Sequence, residues 1–110
     1  MKLPYAELAI VDIRKLREYS LSLEHDTGKH KARVFQAALG ITADDAEALR
    51  LIVLEAIKIN EAELGRRDEY GQRYRVDFML EWKGKSARVR SGWIIEHDGD
   101  IPRLTSCYVL

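Results

Sequence analysis

The sequence predicts an α+β fold, with three N-terminal helices packed on one face of a C-terminal antiparallel β-meander of three or four strands. Three observations carry that prediction. The first half of the chain holds apolar residues at helical spacing, bounded by capping residues. From Tyr70 onward the pattern changes to alternation of apolar and polar side chains. Two dipeptides, Gly84-Lys85 and Asp98-Gly99, then stand where hairpins would turn. Residues 1–110 read as a single domain with one core.

The elements follow in order. Ala9-Ile10-Val11 reads as a short strand or an extended lead-in. Asp12 is a natural N-cap for a short helix through Tyr19, with Ile13 and Leu16 on its apolar side. Ser22 to Lys29 is rich in turn formers and reads as a loop. A second helix begins near Gly28 or Lys29 and ends at Gly40, with Val34, Phe35, Ala38 and Leu39 as its apolar stripe. Thr42 and Asp45 form a capping-box pattern for the third helix. Leu49, Ile52, Val53, Ala56 and Ile57 give that helix a broad buried stripe, and Gly65 is expected to end it.

In Tyr70 to Trp82, the residues Tyr74, Val76, Phe78, Leu80 and Trp82 fall on one face and Arg73, Arg75, Asp77, Met79 and Glu81 on the other. The runs Ser86 to Ile95 and Arg103 to Leu110 continue the division. A type II′ turn at Gly84-Lys85 would pair Leu80 with Val89, Phe78 with Ser91 and Val76 with Trp93. A type I′ turn at Asp98-Gly99 would pair Trp93 with Leu104 and Val89 with Tyr108, burying Tyr108. The same register sets Gly92 opposite Thr105 and Arg90 opposite Cys107 on the solvent side.

Composition bounds the function. Hydrophobic residues make up 46% and charged residues 33%, a soluble globular balance, and the formal net charge is zero. The charge is nevertheless uneven: residues 41–64 carry two Lys/Arg against six Asp/Glu, whereas residues 65–110 carry nine against seven. No apolar run is long enough to span a membrane, and Pro4, Tyr5 and Glu7 interrupt any signal-peptide core. Cys107 is the single cysteine, so no internal disulfide forms, and a cytoplasmic location is expected. His25, His30, His97 and Cys107 lack ligand spacing, so no metal is expected, and no cofactor is implied.

The expected solvent face gathers Arg73, Arg75, Arg88, Arg90 and Arg103 with Thr105, around a dip left by Gly92. Guanidinium forks at such a dip suit a phosphate. A second constellation, Gly28 to Ala32 with His25 upstream, lies at a helix N-terminus and adds Lys29, His30 and Lys31. On this reading His25, Lys31, Arg90 and Thr105 are the candidate catalytic residues, and His30, Arg73, Arg75 and Arg103 bind substrate. His25 and Lys31 are expected to reach the rim of the arginine patch.

The stretches EHDTGKHKARVF at 24–35, DEYGQRY at 68–74, VRSGW at 89–93 and DIPRLTS at 100–106, with LP near the start and LG at 39–40, together resemble the bacterial family called domain of unknown function 6883. That resemblance spans almost the whole chain and implies an association with polymorphic toxins. The order of helices before a basic antiparallel sheet is also similar to barnase-type and RelE-type ribonucleases. These resemblances imply a toxin-like, metal-independent endoribonuclease acting by 2′-hydroxyl attack, with RNA and a cognate antitoxin or immunity protein as partners. The alternative they leave is a non-catalytic protein-binding module of a toxin–antitoxin or toxin–immunity pair. Asp77 is the one central carboxylate of the solvent face, so an arginine- and lysine-based mechanism fits better than a carboxylate base.

Overall fold

The computed structural model describes residues 1–110. A 3-10 turn at Ala6–Leu8 precedes α1 (Ile13–Lys15), which widens into a π-helical turn over Leu16–Ser20. Then come α2 (Lys29–Leu39) and α3 (Ala46–Ile59). Four strands follow, β1 (Ala62–Asp68), β2 (Gly71–Trp82), β3 (Lys85–Glu96) and β4 (Arg103–Val109), in one antiparallel sheet of that order. No helix is long and apolar enough to cross a membrane.

Capping chemistry explains where the helices start and stop. Asp12 Oδ1 accepts the Arg14 N–H at 3.0 Å, which satisfies a donor at the start of α1. The Thr42 N–H donates to Asp45 Oδ2 at 2.9 Å, half of a reciprocal capping box that leads into α3. Gly40 closes α2 at φ 72, a conformation that glycine adopts without a Cβ clash.

The fold class expected from the sequence needs correction. The class is α+β, but the helical layer is not three N-terminal helices. Its first member is a single α-turn followed by a π-turn, and its longest, α3, is central in the chain. That helix stops at Ile59, not at Gly65, because Asn60 turns to an extended φ of −97 and ψ of 152. Residues 62–68 then pair with β2 as a strand, so pairing overrides the helix propensity of Glu61 to Leu64. Gly65 lies in a β-bulge between Leu64 and Arg67, where a Cβ would come 3.2 Å from the Arg73 carbonyl oxygen. Ile10 bridges Arg103 in parallel and so covers part of the β4 edge.

The core forms where the helices meet one sheet face. Phe35, Leu39, Leu49, Val53 and Ile57 are buried against Val76, Phe78, Leu80, Val89, Trp93 and Leu104. Ser91 is buried with them and is satisfied twice: its hydroxyl donates to the Val76 carbonyl at 2.8 Å and accepts from Trp93 Nε1–H at 2.9 Å. Val34 is exposed, contrary to the expected stripe, because the buried positions of α2 are Ala32, Phe35 and Leu39.

Both hairpin registers differ from expectation, with different consequences. The β2–β3 turn is Lys83-Gly84, with both residues at positive φ as a type I′ turn requires. Leu80 therefore pairs with Ala87, Phe78 with Val89 and Val76 with Ser91. This is a shift of two residues, which leaves every side chain on its expected face. Between β3 and β4, Trp93 does pair with Leu104, but a bulge follows and leaves Thr105 as the extra residue. Beyond it Gly92 meets Ser106, Ser91 meets Cys107 and Arg90 meets Tyr108. This slip of one residue exchanges faces, so Cys107 is buried and Tyr108 moves out beside Arg90.

Candidate functional site

The face of the sheet opposite the core is built around one ion pair. Asp77 on β2 stands directly across from Arg90 on β3. Arg90 donates to both carboxylate oxygens, Nε to Oδ1 and Nη2 to Oδ2, each at 2.9 Å. Those bonds hold the Asp77 carboxyl below its ordinary value, and Arg75 and Arg88 add to the effect. The same pairing raises Arg90 above an already high value, with the Tyr108 phenol beside it contributing. A guanidinium carries five N–H donors, so the Asp77 fork fixes the plane of Arg90 and leaves three donors for another acceptor.

The neighbouring position is Gly92, where the dip expected from the sequence is filled by side chains of β4. Gly92 pairs with Arg75 across β2 and with Ser106 across β4. A Cβ at Gly92 would meet the Ser106 hydroxyl at 2.5 Å and the Thr105 hydroxyl at 3.1 Å. The bulge is what brings both hydroxyls over the glycine. Arg75 is itself paired with Glu63 on β1. Two hydroxyls thus cover the glycine, with Arg75 as its strand partner on β2 and Arg90 two residues away on β3.

The other sequence-derived candidates divide into those on this face and those off it. Arg73 lies further along β2 and donates to Asp68 at 2.8 Å; the hydrogen bonds from Arg66, the larger influence, and from Arg73 hold the Asp68 carboxyl well below the usual range. Arg103 is opposite Ile94 at the far end, with Glu96 3.9 Å away. Lys31 reaches the β4 side, its ammonium 5.3 Å from the Tyr19 ring and 5.1 Å from the Tyr108 ring. Since Tyr108 adjoins Arg90, Lys31 is near the rim of the patch.

His25 is not there. It lines a separate cleft with Arg17, Leu21, Gln36 and Thr42, to which the sheet contributes nothing. Its Nδ1 accepts the backbone N–H groups of Thr27 and Gly28 at 3.1 and 3.0 Å, and its ring meets Tyr19 edge-on at 4.6 Å. That lone pair holds the loop before α2. His30 is exposed on the first turn of α2. Burial pushes the Cys107 thiol up to about 12, with no partner that would make it a nucleophile.

Three residues of the open face escaped the sequence reading. Tyr108 and Ser106 were hidden by the bulge, which alternation alone does not reveal. His97 follows β3, and its ring reaches the β1–β2 turn, with Nε2 2.8 Å from the Asp68 carbonyl and Nδ1 3.3 Å from Arg67.

The chain belongs to the family described as Domain of unknown function (DUF6883), matched over residues 2–110. No curated protein matches it. Among solved structures it is similar to a chain of the contact-dependent growth inhibition toxin–immunity protein complex from Klebsiella pneumoniae 342. The identity is 17%, the alignment covers 93% of this chain and 100% of that one, and the TM-score is 0.68. At that identity the likeness is one of fold.

Proposed function

We propose that this member of the DUF6883 family is a toxin-like endoribonuclease that needs no metal and binds RNA phosphate on the open face of its sheet. The observation that carries this reading is the cluster at the centre of the open face, where the Thr105 and Ser106 hydroxyls lie over Gly92 and Arg75 and Arg90 stand on the adjoining positions of β2 and β3. The toxin context is supported by the shared fold with a chain of a toxin–immunity complex. The ribonuclease reading adds the chemistry that the face offers, which is charge stabilisation and proton donation.

In this reaction the 2′-oxygen attacks the adjacent phosphorus, the P–O5′ bond breaks, and a 2′,3′-cyclic phosphate and a 5′-hydroxyl result. Arg90 and Arg75 stabilise the charge that builds on the phosphoryl oxygens. Tyr108 and Lys31 are the proton-handling groups, in place of the histidine expected from the sequence. Asp77 is a poor base because Arg90 holds it ionised, and its role is to aim Arg90. Purified protein should cleave total cellular RNA in excess chelator and leave cyclic phosphate ends. Arg75→Ala and Arg90→Ala should each lower the rate by at least about a hundredfold. Inert wild-type protein would refute the reading.

A second reading, a protein-binding module of a toxin–immunity pair, draws on a different surface. Leu51, Ile59 and Met79 are exposed around a shallow apolar cleft between α3 and β2. Protein that binds a cognate partner there but leaves RNA intact would favour it.

A further inference from the structure

One stretch of sheet edge is left uncovered. β3 pairs with β2 along its whole length, from Gly71 to Trp82, but β1 pairs with it only as far as Val76. From Asp77 onward the β1 side of β2 has no strand beside it. The parity of the ladder fixes which backbone groups face that gap. The Arg88 carbonyl accepts the Leu110 N–H at 2.9 Å, so Arg88 turns its backbone away from β2. Its antiparallel partner Met79 then turns its own N–H and C=O away from β3 and into the gap. By period two, Asp77 and Glu81 do the same. No backbone bond outside the ladder reaches any of the three. The other edges are treated differently. Ile10 donates to Pro102 and accepts from Leu104 along β4, and the Met1 carbonyl takes the Ala62 N–H at the start of β1. Beyond Ala62, β1 is blunted by its bulge and by Glu63, Arg66 and Arg67.

The gap is also a groove. Leu51, Ile52 and Ile59 of α3 line it opposite Phe78, Met79 and Leu80 of β2. Leu51 is 60% and Ile59 75% exposed, although both sit beside core residues. Edge backbone groups next to an apolar wall are what an extended segment covers by strand addition. A helix laid there would leave the donors and acceptors of β2 unpaired. The rim of the groove is acidic, with Glu55 and Glu81, and Glu55 is met only by Lys58 of its own helix, 3.1 Å away. A second copy pairing through the same edge about Met79 would set Asp77 of each chain against Glu81 of the other, and like charges directly opposite are destabilising.

We propose that the free edge of β2, with the wall of α3, binds an extended segment of a partner protein in which apolar and basic residues alternate, added antiparallel to β2 in line with β1. The apolar side chains of that segment pack opposite Phe78 and Leu80, against Leu51 and Ile59. Its lysines or arginines emerge on the other face, beside Glu81. The proposal is independent of the RNA reading; it rests on the protein-binding reading of this cleft and gives it a mode and a chemistry.

The test is an NMR titration of the full chain with an acetylated, amidated heptapeptide of alternating lysine and valine. Binding should shift the amides of Asp77, Met79 and Glu81 and slow hydrogen exchange at Met79. The same peptide N-methylated at its lysines keeps every side chain but loses the donors that meet β2, and should bind about tenfold more weakly. Ile59→Lys and Glu81→Lys, both at exposed positions, should melt as the wild type does, and each should weaken the peptide about tenfold. N-methylation that leaves the affinity unchanged would overturn strand addition and leave the protein-binding reading of the cleft standing. Amide shifts confined to other surfaces, variants that bind as the wild type does, or no binding at millimolar peptide would overturn the site altogether. RNA cleavage should be the same in Ile59→Lys as in the wild type, so the RNA reading stands or falls on its own.

Discussion

On β2, the side chains of Val76, Phe78 and Leu80 are buried beneath α2, α3 and the N-terminal segment, while Arg75, Asp77 and Met79 alternate with them and face the other way. One set of strands therefore builds two surfaces held by different forces. The covered face is held by non-directional burial, where shape and volume decide. The open face is held by directional pairs, Asp77 with Arg90, Asp68 with Arg73 and Glu63 with Arg75. The difference is instructive: burial tolerates a shift of two residues in register, whereas a slip of one residue decides which groups can do chemistry together.

The largest expected effect lies on the covered face. Phe78→Ala should destabilise the protein by about 3–5 kcal/mol, measured by denaturant unfolding. A loss below about 1 kcal/mol would break the distinction between the two faces.

A smaller effect is expected at the centre of the open face. Asp77→Asn leaves Arg90 half-buried without its charge partner and should cost about 1–2 kcal/mol at neutral pH. The sign with pH is fixed by the lowered carboxyl value in the folded state. Its stabilisation is complete above the unfolded value near 4 and is lost as pH falls through the lower folded value. The stability gap between wild type and Asp77→Asn should therefore close as the pH drops below about 4. A gap that is constant with pH would show that the pair contributes by packing alone.

The smallest effect on stability is expected at Gly92. Gly92→Ala forces the Ser106 hydroxyl to rotate away, at a cost of about 1 kcal/mol. The same methyl displaces hydroxyls at the centre of the face, so RNA binding should fall by more than the stability change suggests. Unchanged RNA affinity would move the phosphate elsewhere on the face.

These comparisons also mark what the sequence discloses. Alternation from Tyr74 to Trp82 identifies the two faces, because period-two burial depends only on local pattern. Asp12, Gly40 and the Thr42–Asp45 box mark helix ends through chemistry contained within a few residues. The Thr105 bulge is not legible in this way. It depends on how β4 meets β3, and it decides that Tyr108 joins Arg90 and that Cys107 does not. β1 is obscured for a related reason: Ala62 to Asp68 has helix-forming residues, and only the partner strand makes it extended. His25 and His30 drew attention as histidines in a basic motif, yet His25 spends its lone pair on the loop that carries it.

The most direct test of the central claim is the salt dependence of binding a single-stranded RNA oligonucleotide. The account predicts that affinity falls steeply and log-linearly with salt, with a slope of about −0.7 per phosphate neutralised on single strands. Arg75→Ala and Arg90→Ala should each make that slope shallower by the share of one phosphate contact. An RNA affinity that is insensitive to salt, or a slope that both variants leave unchanged, would contradict the account.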